Sequence, residues 1–298
     1  MEPARPRAGK ADHATNLRPE GGPAPVGDSR PIGVFDSGIG GLTVVSALRR
    51  LLPNESIYYL GDTARVPYGG KSASTVQRYS LEIAALLLGE NAKTLIVACN
   101  TASALALPVL RERVPVTVTG VLAPGAQAAA AATRNGHIGV IGTRATIKSG
   151  AYERALRELN SDVQVTARAC PLLVPLIEEG WLQSEVTDKV LMQYLQPLFD
   201  HGIDTLVLGC THYPLLRPAI SRLVGDAITL VDSAENCAIA VRELLAREDL
   251  NAPSGSNGSL QVALTDPPDA FLDVAHEALG LNIGEIQLRS VTPAAAAA

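Results

Sequence analysis

Much of what this chain does not contain is informative. Aromatic residues make up 4% of its 298 positions and the formal net charge is -5. There is no dense Lys/Arg stripe interleaved with aromatics, so a nucleic-acid surface is not expected. No apolar run reaches the roughly 18–20 residues that a membrane span needs. The first 29 residues lack the apolar core of a secretory signal and are rich in Pro, Gly and Ala with scattered charges of both signs, which predicts a disordered N-terminal tail. Only four cysteines occur. Without an export signal they predict free thiols in a reducing cytoplasm rather than a disulfide scaffold. No two cysteines are close in sequence and the five histidines have no ligand spacing, so no metal is expected. Two phosphate-binding fingerprints also fail. Asp36-Ser37-Gly38-Ile39-Gly40-Gly41 begins like a dinucleotide turn, but Thr43 stands where the third glycine belongs. Tyr68-Gly69-Gly70-Lys71-Ser72 ends like a phosphate loop, but Arg65 replaces its leading glycine.

What is present is 47% hydrophobic residues in a chain with room for two ordinary domains. From Pro31 onward, short aliphatic runs alternate with amphipathic stretches, the βαβ rhythm of a parallel sheet covered on both faces. Val190, Leu191, Tyr194, Leu195, Leu198 and Phe199 fall on one helical stripe, with Gly202 placed to cap it. A second helix is predicted over 74–88, with Gly89 just past its end. Asn251 to Ser259 has the composition of a surface loop, and 291–298, closing on five alanines, that of a flexible tail. Two echoes point to an internal duplication. Ile32-Gly33-Val34-Phe35 recurs as Ile138-Gly139-Val140-Ile141, 106 positions on, and Thr94-Leu95-Ile96-Val97 as Thr205-Leu206-Val207-Leu208, 111 positions on. A first domain over 30–122 and a second from 123 fit this repeat, while spacing leaves the place of the last 65 residues open.

The second echo carries the chemistry. Each of its aliphatic runs ends in a cysteine followed by polar residues: Ala98-Cys99-Asn100-Thr101 and Gly209-Cys210-Thr211-His212. The carboxyl ends of the strands are where open α/β sheets bind ligands, and a helix starting there favours a thiolate or a substrate carboxylate. Either cysteine alone reads equally well as an ordinary buried residue. Two in matched polar settings predict a shared function. Cys170 and Cys237 lack such settings and are expected to be structural. If the two halves face each other across a cleft, Cys99 and Cys210 approach one bound molecule from opposite sides, an arrangement suited to racemisation. One thiolate removes a proton from a stereocentre and the opposite thiol returns one. The free thiol pKa of about 8.5 leaves both forms accessible. Ser37, Asn100, Thr101 and Thr211 are suitable donors for a developing carbanion, and Asp36 and His212 are suited to moving protons on and off the thiols. No lysine sits in either cysteine motif, so no pyridoxal phosphate is expected.

Gly33 to Thr43, Pro67-Tyr68-Gly69, Ala98 to Ala102 and Gly209-Cys210-Thr211-His212-Tyr213-Pro214-Leu215-Leu216 together closely resemble the glutamate racemases of the aspartate/glutamate racemase superfamily, in order and over about Pro31 to Leu288. The resemblance implies an α/β fold of two doubly wound parallel-sheet domains related by a pseudo-twofold, with the active site in the cleft between them. The first domain would be discontinuous, 30–122 with 233–290, and the second would span 123–232. It implies a cofactor-independent, cytoplasmic isomerase that interconverts L- and D-glutamate for peptidoglycan synthesis. Cys99 would take the proton from the D isomer and Cys210 from the L isomer. Asp36, Ser37, Tyr68, Gly69, Asn100, Thr101, Thr211 and His212 would line the substrate pocket, and Glu178 would assist on the Cys210 side. Aspartate racemases resemble Gly-Cys-Thr-Glu at the second motif, so His212 favours glutamate. An aspartate or hydantoin racemase of the same superfamily and a non-catalytic two-domain anion-binding protein remain as alternatives. Extensions in some relatives are linked to a cell-wall precursor or to DNA gyrase. The present tail decides neither, and a homodimer is left open.

Overall fold

The computed structural model describes residues 1, 27–267, 279–281 and 283–291. Among the described residues ten strands form two sheets: β1 (Ile32–Asp36), β2 (Ile57–Gly61), β3 (Thr94–Val97), β4 (Val118–Gly120), β5 (His137–Gly142), β6 (Gln164–Ala169), β7 (Thr205–Gly209), β8 (Thr229–Asp232), β9 (Leu260–Leu264) and β10 (Ile286–Leu288). One sheet runs β10-β9-β2-β1-β3-β4 and the other β6-β5-β7-β8. All pairings are parallel. The central strands β1, β2, β3 and β7 are buried along their whole length, as continuous aliphatic runs in a doubly covered parallel sheet require.

The duplication is visible in the pairing. β2-β1-β3-β4 and β6-β5-β7-β8 have the same order, and even the register repeats: Ile32 pairs with Thr94 and Ile138 with Thr205. Beyond β8 the chain leaves the second sheet. Helix Ser233–Arg247 packs on both Leu42–Leu51 and Leu122–Ala132, and β9 and β10 then extend the first sheet. One hydrophobic cluster consequently joins Ile32 and Val34 of the first sheet to Ile141 and Leu208 of the second through Cys237, Ala238 and Val241. An apolar cluster shared by both sheets ties the two lobes together rather than leaving them as beads on a linker.

The predicted helices form with small shifts. Ala73–Gly89 begins on Ser72, whose hydroxyl accepts from the Thr75 N–H at 3.3 Å. Glu185–Asp200 begins on Ser184, which accepts from the Thr187 N–H at 3.1 Å. Gly202 lies just beyond it at φ +69°. The tails expected over 1–29 and 291–298 fall outside the described residues, apart from 1, 27–29 and 291. Asp28 does not behave as tail: its N–H donates to the Asn251 carbonyl at 2.8 Å, and its carbonyl accepts from Lys93 Nζ at 2.7 Å. The reason is Lys93 itself. Its buried ammonium, paired with Glu55 at 2.6 Å, needs further acceptors, and the chain at Asp28 supplies one. Among the described residues no helix is long and apolar enough to cross a membrane.

Candidate active site

In each sheet the strand order reverses between the first strand and its neighbour, β1/β3 and β5/β7, opening a crevice at the carboxyl ends. The residues leaving those four strands meet around one cavity of about 280 Å³, at the small end of the roughly 300–1,000 Å³ usual for ligand pockets. Ser37 follows β1, Cys99-Asn100-Thr101 follow β3, Thr143-Arg144 follow β5 and Cys210-Thr211-His212 follow β7. The turn Val66–Gly70 forms another side, and Cys170, Pro171, Val174, Pro175 and Glu178 form an apolar wall ending in a carboxylate.

The two lobes meet tightly here, which explains the glycine-rich turn that fails as a dinucleotide fingerprint. A Cβ on Gly40 would collide with the His212 imidazole, and one on Gly69 would stand 2.8 Å from Thr143 Cβ. Thr43 occupies the position of the missing third glycine because its hydroxyl bonds across the lobes, donating to the Thr211 carbonyl at 3.0 Å, with the Gly40 carbonyl 2.9 Å away. Three hydroxyls, Thr101, Thr143 and Thr146, lie 3.0–3.1 Å apart and join the β3 turn to the β5 turn.

Cys99 and Cys210 are each 5% exposed. The Cys99 sulfur caps helix Asn100–Leu105, accepting from the Ala102 N–H at 3.5 Å, and its thiol donates to Ser37 Oγ at 3.7 Å. Burial pushes its pKa up, and the nearby Asp36 carboxylate and Cys210 add to that, while the Ala102 and Ser37 contacts oppose it. The turn after Cys210 differs. Pro214 and Pro218 interrupt the chain, so the residues after His212 make a 3₁₀ turn, Tyr213–Leu216, before helix Arg217–Val224. The helix terminus expected at Cys210 is thus displaced, and the local positive charge comes from a side chain instead. His212 Nδ1 lies 3.8 Å from Cys210 Sγ, and Nε2 lies 3.1 Å from Glu178 Oε1. Burial lowers the imidazole pKa, but pairing with Cys210 and Glu178 outweighs it and raises the value to about 10.

Of the residues singled out by sequence, Ser37, Tyr68, Gly69, Cys99, Asn100, Thr101, Glu178, Cys210, Thr211 and His212 all line the cavity. Asp36 does not. Its side chain is wholly buried behind the lining, with Oδ2 accepting from the Gly41 N–H at 2.7 Å and the Thr211 hydroxyl at 3.4 Å. Oδ1 has no hydrogen-bond partner. Asp36 thus stands behind the wall rather than in it, where its charge raises the Cys99 pKa. Cys170, read as structural, stands in the wall with its thiol pKa pushed to about 12 by burial, while Cys237 is a core residue. Thr143 carries no local motif, although the repeat marks it: it lies 106 positions after Ser37, the offset that relates β1 to β5. Arg144 and the wall from Cys170 to Pro175 carry no local signal. Among the described residues no group of His, Cys, Asp and Glu is placed to hold a metal ion.

Comparison with known proteins agrees with this geometry. The family model described as Asp/Glu/Hydantoin racemase matches residues 33–243. The glutamate racemase of Geobacter metallireducens is 50% identical over 257 residues, covering 86% of this chain and 95% of the relative. Among solved structures, glutamate racemase RacE1 of Bacillus anthracis superposes with a TM-score of 0.84 at 41% identity, over 88% of this chain and 97% of that one. The Francisella tularensis glutamate racemase, solved with D-glutamate, does so at 0.83 and 36%, over 89% and 98%. Two all-parallel α/β sheets, a shared crevice with a cysteine on either side, and identity of this extent over most of the sequence place the chain in the Asp/Glu/Hydantoin racemase family, among its glutamate racemases.

Proposed function

We propose that the protein interconverts L- and D-glutamate by proton transfer between two thiols. The observation that carries this is the convergence of Cys99 and Cys210, from equivalent strand ends of two sheets, on one small cavity. In the forward direction one cysteine, as thiolate, takes the α-proton as H⁺ and leaves the electron pair on carbon. The opposite thiol then gives its proton to the other face and becomes the thiolate. The configuration inverts, and the enzyme regains its starting form when the proton is passed back between the two sides. The α-hydrogen is a very weak acid, so charge moving onto the substrate carboxylate must be met by fixed donors in a site closed to water. Ser37, Asn100, Thr101, Thr143 and Thr211 surround the cavity for that purpose. His212, held by Glu178, serves the Cys210 side, and Asp36 acts from behind Cys99. By the family resemblance Cys210 meets the L isomer and Cys99 the D isomer.

The reading needs no cofactor, and among the described residues no lysine lines the cavity to hold pyridoxal phosphate. It places the enzyme in the cytoplasm, supplying D-glutamate for peptidoglycan, a location supported by four free cysteines. It also divides the chain into 30–122 with 233–290, and 123–232, supported by the way β9 and β10 extend the first sheet.

Polarimetry with a panel of purified amino acids tests the substrate, and loss of the α-proton NMR signal in deuterium oxide tests the chemistry. Rapid inversion of glutamate with loss of its α-signal is expected. Inversion of aspartate alone moves the protein to an aspartate racemase, and an undiminished α-signal with tight glutamate binding makes it an anion-binding protein. A visible internal-aldimine band in the purified enzyme overturns the cofactor-free mechanism.

A further inference from the structure

The two cysteine turns belong to different sheets, so something must fix them relative to each other. One buried phenol touches both. Tyr152, in the first turn of helix Ala151–Leu159, is 3% exposed and lies outside the cavity lining. Its hydroxyl donates to Asn100 Oδ1 at 2.7 Å, one residue past Cys99. Its ring packs under Gly209, one residue before Cys210, so closely that a Cβ there would stand 3.1 Å from Tyr152 Cε2. The hydrogen bonding continues from the other end of the amide: Asn100 Nδ2 faces Ser233 Oγ at 3.5 Å, and the Ser233 hydroxyl donates to the Leu208 carbonyl on β7 at 3.3 Å.

This relay has one consistent sense. Ser233 also lies within hydrogen-bonding reach of the phenol. With its proton on Leu208 it accepts from Asn100 Nδ2, which turns the Asn100 oxygen to Tyr152. Burial raises the phenol pKa, which keeps that proton in place at neutral pH. An amide has two N–H groups. With one aimed at Ser233, the other is left to the cavity that Asn100 lines.

We propose that Tyr152 is a positioning residue for the racemisation: its hydroxyl locks the Asn100 amide with an N–H presented to the substrate carboxylate, while its ring sets the Cys210 turn against the Cys99 turn. The inference rests on the two-thiol reading above. Because charge builds on the carboxylate during proton removal, the N–H matters more to the transition state than to bound glutamate.

Tyr152→Phe keeps the ring and deletes the hydroxyl. It is expected to lower kcat for glutamate about tenfold, the scale of one neutral hydrogen bond, with KM within about threefold and the melting temperature little changed. In an Asn100→Ala background the same change should cost no further activity, because the hydroxyl acts through that amide. Wild-type kcat in Tyr152→Phe, a loss confined to stability, or full multiplicative losses in the double variant each overturn the proposal. If Tyr152→Phe does not fold, Ser233→Ala opens the other end of the relay, and it must lower kcat at unchanged KM or the proposal falls. A wild-type protein that inverts no glutamate defeats the two-thiol reading itself. An active wild type with an unimpaired Tyr152→Phe defeats only the role of Tyr152.

Discussion

Cys99 and Cys210 end equivalent strands, at equivalent register, with equal exposure, yet the groups around them are opposite in charge. Behind Cys99 stands a buried carboxylate, Asp36, and the thiol is held by a serine hydroxyl and one backbone N–H. Beside Cys210 stands an imidazole that a second carboxylate holds toward its charged form. The repeated strand order thus offers two equivalent positions, and each half surrounds its thiol differently. Burial and Asp36 hold Cys99 toward its thiol form, whereas the group beside Cys210 is an imidazole whose own pKa is raised, so the surroundings of the two sulfurs differ in sign. In the proposed two-thiol reaction acid and base exchange roles with direction, and Asp36 and His212 are the flanking groups placed to move those protons.

The largest expected effect comes from removing either sulfur. Cys99→Ala and Cys210→Ala should each cut glutamate inversion by about 10³-fold or more, the scale of a lost general acid or base, with circular dichroism and melting little changed. Inversion alone cannot distinguish the two sides. L- and D-glutamate have equal free energies, so kcat/KM must be the same in both directions for every variant. Exchange in deuterium oxide removes that constraint. Any exchange surviving in Cys210→Ala should be confined to D-glutamate, and in Cys99→Ala to L-glutamate, without inversion. Exchange of the same isomer in both variants would mean that the thiols do not face opposite sides of the carbon.

Next in size are the two flanking charges, and their removal should move activity in opposite directions along the pH axis. An ionised Asp36 disfavours the Cys99 thiolate, so Asp36→Asn should let Cys99 ionise at lower pH and shift the acid limb of kcat from D-glutamate downward. His212 draws its raised pKa from Cys210 and Glu178, so His212→Asn, which removes that positive charge, should shift the acid limb of kcat from L-glutamate upward, with an overall loss of about 10²-fold. Shifts of the same sign would end the contrast between the sides. His212 carries a stability signature as well. Its pKa is raised from 6.5 to about 10, so the stabilisation it contributes is complete below pH 6.5 and fades as the pH rises through 10. Melting temperatures of wild type and His212→Asn should therefore converge at alkaline pH.

How far the site was legible follows from how local its signals are. Buried parallel strands leave continuous aliphatic runs, and the turns at their ends are written in Gly, Thr and Asn, so Cys99, Cys210 and the repeat itself could be found without coordinates. The return of β9 and β10 to the first sheet had no periodic signature and came only with the family resemblance. Asp36 stands at the carboxyl edge of β1, and the family resemblance implies a place in the wall that the structure does not give it. Whether a strand-terminal side chain faces the crevice or the core is set by register and twist, which a motif does not record. The wall from Cys170 to Pro175 is apolar and resembles any core helix, and Tyr152 meets Asn100 only after the lobes pack. Thr143 is different: the 106-residue offset from Ser37 marks it, but no conspicuous polar motif surrounds it.

The smallest effect tests how much of the contrast resides in the second carboxylate. Glu178 reaches His212 Nε2 at 3.1 Å, but its side chain is 37% exposed, so water screens its charge far more than it screens the buried Asp36. Glu178→Gln preserves an oxygen that can accept from the imidazole N–H and removes only the charge. If orientation is the main contribution, the loss of kcat should be about threefold and the acid limb for L-glutamate should move less than in His212→Asn. Glu178→Ala, which removes the acceptor too, should cost more, toward tenfold, the scale of one neutral hydrogen bond. Equal losses in Gln and Ala variants would mean that charge dominates despite exposure. The Cys210 side would then depend on a screened surface carboxylate as heavily as the Cys99 side depends on a buried one.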